Sequence, residues 1–169
     1  KEGLFAKDGH SAEERLQSYV IGRMEKMLAK HGKKIIGWDE ILQGGLSPDA
    51  TVMSWQGEEG GIASALQSHD VIMTPGGNGM YLDHFQGDPK VEPVTIGGLN
   101  TLEKVYNYNP VPDTLVALNK AHHILGVQCN NWSEYMYTNA QREYMMYPRT
   151  VAVAEIGWTS LDKKDYKDF

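Results

Sequence analysis

The sequence predicts an α/β fold built on a parallel sheet, and three observations indicate that class. Four short apolar runs recur along the chain, with helix-like segments between them. Each run is nearly continuous in apolar residues, which is typical of strands covered on both faces. Polar and aromatic residues follow each run, where α/β enzymes place their sites. Four such units make half of an eight-stranded (β/α)8 barrel.

The first helix is predicted by a capping box, because Glu14 stands three residues after Ser11 and can reach back to it. His31-Gly32 marks the end of the helix. A stripe of apolar residues at helical spacing lies between these signals, and we expect its methionines to belong to the core. The stripe consists of Leu16, Tyr19, Val20, Met24, Met27 and Leu28.

The remaining elements follow from apolar runs and from breaks at Pro, Gly and Asn. Residues 1–10 are predicted to form a loop, residues 84–109 an irregular insertion, and the charged tail 162–169 a frayed end. The predicted strands are 33–38, 51–55, 70–74 and 124–129, and the predicted helices are 58–69, 102–106, 112–122, 139–147 and 151–158.

Composition limits the function. The 169 residues suffice for one domain, and a net charge of −6 without a basic block predicts no nucleic-acid partner. The single Cys129 excludes an internal disulfide, and the scattered histidines predict neither a metal site nor a cofactor. No apolar run reaches the length of a membrane span. The chain opens at Lys1 without Met or a signal peptide, so we expect a piece of a longer protein.

Three of the four tryptophans stand just past an apolar run and beside polar side chains. These are Trp38, Trp55 and Trp132, the last within the stretch G-V-Q-C-N-N-W-S-E-Y at residues 126–135. One tryptophan at a strand end is ordinary packing, but three in equivalent places are expected to line one pocket.

Two carboxylates follow aromatic residues at an informative spacing. Asp83 lies two residues beyond Tyr81, and Glu134 lies two residues beyond Trp132. Alternate residues of an extended chain share a face, so each carboxylate is expected beside its ring. A ring that covers the C–H face of a sugar, next to a carboxylate that accepts from hydroxyls, suits a carbohydrate. A surface acid beside a packed ring is the alternative interpretation, and spacing alone leaves both open.

Adjacent carboxylates are weaker candidates for general acid–base chemistry. Asp39 and Glu40 follow the first strand, and neighbouring side chains on an extended chain point in opposite directions. Glu58 and Glu59 are better interpreted as residues of a helix start, where the dipole favours negative charge.

Taken together, these motifs resemble the family 20 glycoside hydrolases, the β-N-acetylhexosaminidases. The resemblance runs from about Ser11 to Trp158 and concerns the second half of that family's barrel, strands five to eight, so the N-terminal half is expected to be absent from residues 1–169. It rests on K-K-I-I-G-W-D-E-I (33–41), M-S-W-Q-G (53–57), Y-L-D and G-D-P (81–83, 87–89), N-N-W-S-E-Y (130–135) and Y-P-R-T-V-A-V-A-E-I-G-W (147–158).

The resemblance implies hydrolysis of terminal β-linked N-acetylglucosamine or N-acetylgalactosamine from a glycan. In this family the substrate's own acetamide attacks the anomeric carbon and forms an oxazolinium intermediate. Tyr81 resembles the hydroxyl that holds the acetamide oxygen. The aromatic walls would be Trp38, Trp55 and Trp132, and the acceptors for sugar hydroxyls would be Asp83 and Glu134.

One departure matters for activity. The family's catalytic Asp-Glu pair lies in an H-x-G-G-D-E motif that does not occur in these residues, so we expect the chain alone to have little hydrolytic activity. A non-catalytic carbohydrate-binding domain is the alternative. Half a barrel would also expose apolar strand faces, which predicts dimerisation or aggregation. The family alone implies a periplasmic or secreted location.

Overall fold

The computed structural model of the protein describes residues 11–169, so the loop expected at residues 1–10 lies outside it. The described part contains one parallel sheet of four strands and six α-helices. The strands are β1 Ile36–Trp38, β2 Thr51–Ser54, β3 Val71–Met73 and β4 Ile124–Val127. The helices are α1 Ala12–Ala29, α2 Glu59–Leu66, α3 Leu102–Asn107, α4 Asp113–Ala117, α5 Asn139–Met146 and α6 Arg149–Trp158.

The strands lie in the sheet in the order of the sequence, β1-β2-β3-β4, and every pairing is parallel. A doubly wound sheet reverses its strand order at a switch point, whereas a barrel keeps the order unbroken. The predicted α/β class with a parallel sheet is therefore confirmed, and the unbroken order is of the barrel kind.

One predicted helix is wrong in its extent. Residues 112–122 form the short helix α4 and a separate 3-10 turn at Ala121–His123. Asn119, between them, adopts a left-handed backbone with φ of 54°, which ends the helix.

The capping box at the start of α1 is confirmed, but the packing predicted for this helix is wrong. The Ser11 hydroxyl accepts from the Glu14 backbone N–H at 3.2 Å, and the Glu14 carboxylate accepts from the Ser11 N–H at 2.7 Å. Only the partly buried Ile21 and Leu28 join the core beneath β1 and β2. Five members of the predicted stripe are exposed instead: Leu16, Tyr19, Val20, Met24 and Met27.

The prediction of a frayed tail is also wrong. The Phe169 ring lies 4.8 Å from that of Tyr106, and the Tyr166 ring lies 5.2 Å from it. The Lys164 ammonium group lies 4.8 Å from the centre of the same ring. These aromatic and cation–π contacts hold the charged tail against α3.

Burial differs between central and edge strands. Val52, Val71 and Met73 of β2 and β3 are fully buried. At the edges, 54% of Ile36 in β1 and 59% of Leu125 in β4 is exposed. The central strands are therefore covered on both faces, and the exposed residues at the two edges agree with the expectation that half a barrel leaves apolar strand faces uncovered.

A fully buried arginine, Arg149, begins α6 and donates to four backbone carbonyls. Nη1 lies 3.0 Å and 2.9 Å from two of these oxygens. A planar guanidinium can serve several acceptors at once, because its donors are held in a rigid fork. The acceptors are the carbonyl oxygens of His84 and Asn100 for Nη1, and of Leu82 and Met145 for Nη2.

Arg149 remains a cation at neutral pH. Burial lowers the pKa of its guanidinium to about 10, and the negative charges of Glu92 and Asp83 act in the opposite direction. The side chain therefore joins the segment after β3 to the helix pair α5–α6 through charge-assisted hydrogen bonds.

Replacing Arg149 tests this connection. Arg149→Met leaves four buried carbonyl oxygens without a donor, at a cost of about 1–3 kcal/mol each when nothing rearranges. After partial relaxation, we expect the free energy of unfolding to fall by about 3–5 kcal/mol. Arg149→Lys keeps the positive charge but loses the forked donors of the guanidinium. It should therefore recover only part of the lost free energy of unfolding. Urea unfolding measures both, and a lysine variant as stable as the wild type would contradict this account.

Candidate functional site

Five of the six residues predicted to form a site line one cavity of about 300 Å³ at the carboxyl end of the sheet. The sixth, Asp83, does not line it, and Glu40 takes part instead. Each lining residue comes at or after the end of a strand, as expected from the parallel sheet. The cavity is lined by Trp38, Glu40, Trp55, Tyr81, Trp132 and Glu134.

Aromatic rings form two walls of this cavity. Trp55 and Tyr81 are stacked, with ring centroids 6.1 Å apart and an interplanar angle of 6°. Trp38 and Trp132 have the same centroid separation and a tilt of 49°. Flat apolar faces of this kind cover the C–H surface of a sugar ring and exclude water from the groups beside it.

Tyr81 is held closely. A Cβ atom added at Gly76 would lie 3.1 Å from the Tyr81 ring, so any larger residue in the turn after β3 would crowd this ring. Burial raises the pKa of the Tyr81 hydroxyl, and a hydrogen bond from the Trp132 side chain acts in the opposite direction. The hydroxyl therefore keeps its proton through the neutral and mildly alkaline range and can donate it to an acceptor in the cavity.

Asp39 and Glu40 both bind Trp55. The buried Asp39 carboxylate accepts from the backbone N–H groups of Trp55 and Gln56, each at 3.2 Å. Both carboxylate oxygens of Glu40 lie 3.0 Å from the indole Nε1 of Trp55. In an extended chain these neighbouring side chains would point in opposite directions, but a 3-10 turn begins at Asp39 and lets both reach one residue. Sequence reasoning therefore missed Glu40 as part of the cavity.

Asp83 is buried beside the cavity. Only 3% of it is exposed, and its Oδ1 lies 3.3 Å from Nδ1 of His84. Its negative charge raises the pKa of the nearby Tyr81 and opposes the lowering of that of Arg149. The role of Asp83 towards sugar hydroxyls stays a prediction.

The amides of the 126–135 stretch act mainly within the protein. Asn130 donates from Nδ2 to the Thr74 hydroxyl at 2.7 Å and accepts at Oδ1 from Gln128 Nε2 at 2.9 Å. Its backbone pairs with Met80 and Leu82, which connects the ends of β3 and β4. Asn130 therefore positions the loop that carries Tyr81.

A larger hollow of about 600 Å³ lies between α2, α3 and α4, but its lining suits a sugar less well. Its only aromatic lining residue, Tyr108, is 94% buried by its neighbours and offers no open face. Burial raises the pKa of Tyr108 far above its ordinary value, and the nearby Glu58 carboxylate adds to this. We therefore take the smaller aromatic cavity as the candidate site.

Comparison with known proteins agrees with this geometry. Residues 2–161 match the family model described as "Glycosyl hydrolase family 20, catalytic domain". The chain belongs to glycosyl hydrolase family 20. The resemblance drawn from the sequence motifs is thereby confirmed.

Several curated relatives carry the name β-hexosaminidase. The protein of Porphyromonas gingivalis is 60% identical over 162 residues, which cover 96% of this chain and 21% of the relative. That of Vibrio furnissii is 34% identical over 158 residues, covering 92% of this chain and 26% of the relative. This family 20 chain therefore spans about a fifth to a quarter of the length of these relatives.

Solved structures of family 20 share the fold. The exo β-N-acetylglucosaminidase from Vibrio harveyi, in complex with N-acetylglucosamine, superposes with a TM-score of 0.78 at 31% identity. The match covers 95% of this chain and 25% of that one. The β-N-acetylhexosaminidase from Streptomyces coelicolor A3(2) has a TM-score of 0.74 at 23% identity, covering 89% of this chain and 31% of that one, and shows the fold alone.

Residues 11–169 contain no group of three His, Cys, Asp or Glu side chains placed to hold a metal ion. Burial raises the pKa of the Cys129 thiol, which disfavours the nucleophilic thiolate. None of the helices described for residues 11–169 has the length and apolar character needed to cross a bilayer.

Proposed function

We propose that these residues form part of an exo-acting β-N-acetylhexosaminidase, which releases terminal β-linked N-acetylglucosamine or N-acetylgalactosamine from glycans. The observation that carries this proposal is the cavity walled by three tryptophans and Tyr81 and bordered by the carboxylates of Glu40 and Glu134. Family membership and the names of the relatives support the same substrate class.

The proposed reaction uses the substrate's acetamide as the nucleophile. Its carbonyl oxygen attacks the anomeric carbon as the glycosidic bond breaks, and the leaving oxygen takes a proton from a general acid. Water then opens the oxazolinium ring with retention of configuration. Tyr81 donates its hydroxyl hydrogen to the acetamide oxygen and holds it in line. Such orientation can lower a barrier by about 7–11 kcal/mol.

The other residues bind the sugar. Trp38, Trp55 and Trp132 enclose the acetamide and the sugar face, which excludes water that would compete for the anomeric carbon. Glu134, exposed at the rim, accepts from the outer hydroxyls of the sugar. Asp83 is the second acceptor in this proposal and the least accessible of these residues.

We also propose that the chain is the C-terminal half of a (β/α)8 barrel. The unbroken parallel strand order supports this, as do the exposed apolar residues of the two edge strands. In this proposal the general acid lies in the preceding half, in the H-x-G-G-D-E motif of the family. The chain of 169 residues alone then binds the sugar and turns it over slowly or not at all.

Hydrolysis tests the mechanism. We expect the whole protein to hydrolyse an aryl N-acetyl-β-glucosaminide and to spare the plain aryl β-glucoside, which lacks the internal nucleophile. The 169-residue chain should be inactive on both and still bind N-acetylglucosamine. Turnover by the chain itself, lost on changing Glu40 or Glu134, would overturn the assignment of the general acid to the other half. A whole protein that binds the sugar without hydrolysing it would be a carbohydrate-binding protein.

Trp132→Ala tests the cavity as the binding site. Loss of one aromatic wall should weaken binding of N-acetylglucosamine by about 5- to 150-fold, if stacking on this ring contributes roughly 1–3 kcal/mol as it does for a nucleobase. Isothermal titration calorimetry of the chain measures this. Trp158→Ala is the matched control, because Trp158 is 93% exposed and lies outside the cavity. Equal effects of both substitutions would place the sugar elsewhere.

Assembly tests the half-barrel. The outward-facing stripe of α1 and the exposed Ile36 and Leu125 leave apolar surface in water. We therefore expect the isolated chain to dimerise or aggregate as its concentration rises. Static light scattering measures the mass directly, and a monomer at high concentration would contradict this prediction.

A further inference from the structure

We propose that Glu40 is a positioning residue for the reaction, which acts by holding the Trp55 indole in the plane that stacks on Tyr81. This inference rests on the function proposed above, since it concerns how Tyr81 is kept in line with the acetamide. It assigns to Glu40 neither the proton transfer nor a bond to the sugar.

Trp55 is held by hydrogen bonds at two points, its indole nitrogen and its backbone N–H. The indole has one polar atom, Nε1, and both oxygens of Glu40 lie 3.0 Å from it. The backbone N–H of the same residue donates to Asp39 at 3.2 Å. Asp39 therefore holds the backbone of Trp55, and Glu40 holds the far edge of its ring. Rotation of the indole would break the charge-assisted hydrogen bond to Glu40.

Glu40 is itself held in place. It lies in the 3-10 turn Asp39–Leu42, and its carbonyl oxygen accepts from Nε2 of Gln17 on α1 at 2.7 Å. Asp39 packs closely on α2, where a Cβ added at Gly60 would lie 2.9 Å from its side chain. The turn that presents Glu40 is thus braced from two helices.

The orientation of the Trp55 indole affects Tyr81, because the two rings are stacked. The two rings are parallel within 6°, and Gly76 approaches the Tyr81 ring as well. The Tyr81 carbonyl oxygen accepts from Asn100 at 2.7 Å, which holds the backbone end of the residue. Its hydroxyl end is held by the hydrogen bond from Trp132 and by the stack on Trp55. A rotated indole would let this hydroxyl move, and misplacement by about 1 Å can cost about 100-fold in rate.

A role as general acid makes a different prediction. Loss of a general acid spares substrates whose leaving group needs no proton, such as dinitrophenol. Loss of alignment at the acetamide slows activated and unactivated leaving groups alike, because the nucleophile is misplaced in both. The dependence of the rate on the leaving group therefore separates the two roles.

The experiment compares Glu40→Leu, Glu40→Gln and the control Glu103→Gln in the whole protein. Glu103 is exposed in the first turn of α3 and has the same charge. For Glu40→Leu we expect kcat to fall about 100-fold with little change in KM, equally for nitrophenyl and dinitrophenyl N-acetyl-β-glucosaminides. Glu40→Gln should fall less, because its amide oxygen still accepts from the indole. Glu103→Gln should match the wild type.

Three outcomes would overturn the inference. Wild-type rates in Glu40→Leu would show that the contact does not matter, and a loss confined to the poorer leaving group would make Glu40 an acid. An unchanged Trp55 indole N–H resonance in the 15N spectrum of Glu40→Leu, which removes the acceptor, would show that the hydrogen bond is absent. If the wild-type protein itself fails to hydrolyse the N-acetylated substrate, the proposed function has failed, while the resonance still reports on the contact. Thermal midpoints of all variants identify any that are misfolded.

Discussion

The buried Arg149 guanidinium is the interaction on which the candidate site depends. It binds the carbonyl oxygen of Asn100, and the Asn100 side chain in turn donates to the carbonyl oxygens of Gly79 and Tyr81. A cation at the start of α6 is thereby connected in two steps to the backbone of the residue proposed to align the nucleophile. Segments without regular structure need such partners, because their buried carbonyls have no ladder to join.

Polar side chains also hold the backbone or side chains of the loops at the ends of the strands. Asp39 satisfies backbone N–H groups after β2, and Asn130 joins the ends of β3 and β4 through its backbone and its side chain. Polar residues outside the cavity thus position the loops, whereas aromatic residues inside it supply the surface for a ligand. This division explains how short strands of three or four residues can support a site with closely set rings.

Residues whose position depends on strand direction were predictable from the sequence. Trp38, Trp55, Tyr81 and Trp132 follow apolar runs, and parallel strands bring such positions to one edge. Glu40 was not predictable in the same way, because its contact with Trp55 requires a 3-10 turn where the argument assumed extended chain. Residue spacing likewise placed Asp83 and Glu134 beside aromatic rings but did not reveal that Asp83 is buried.

The packing partners of the helices and of the tail were still harder to predict from the sequence. The periodicity of α1 correctly indicated a helix with an apolar stripe, yet periodicity does not say what the stripe contacts, and Met24 and Met27 prove exposed. The charged residues of the tail 162–169 predicted a frayed end, whereas Phe169 and Tyr166 pack on Tyr106. For α1, the described residues provide no partner for most of the apolar stripe. For the tail, tertiary contacts hold a segment whose charge alone predicted a frayed end.

The distribution of the four tryptophans has a spectroscopic consequence. Three of them line the cavity, with the Trp38 and Trp132 rings 6.1 Å apart, and the fourth, Trp158, is almost fully in water. Emission from Trp158 would provide a constant red-shifted background, while that of the other three responds to whatever displaces water from the cavity. The protein therefore contains its own optical reporter of site occupancy, with an internal reference on the same chain.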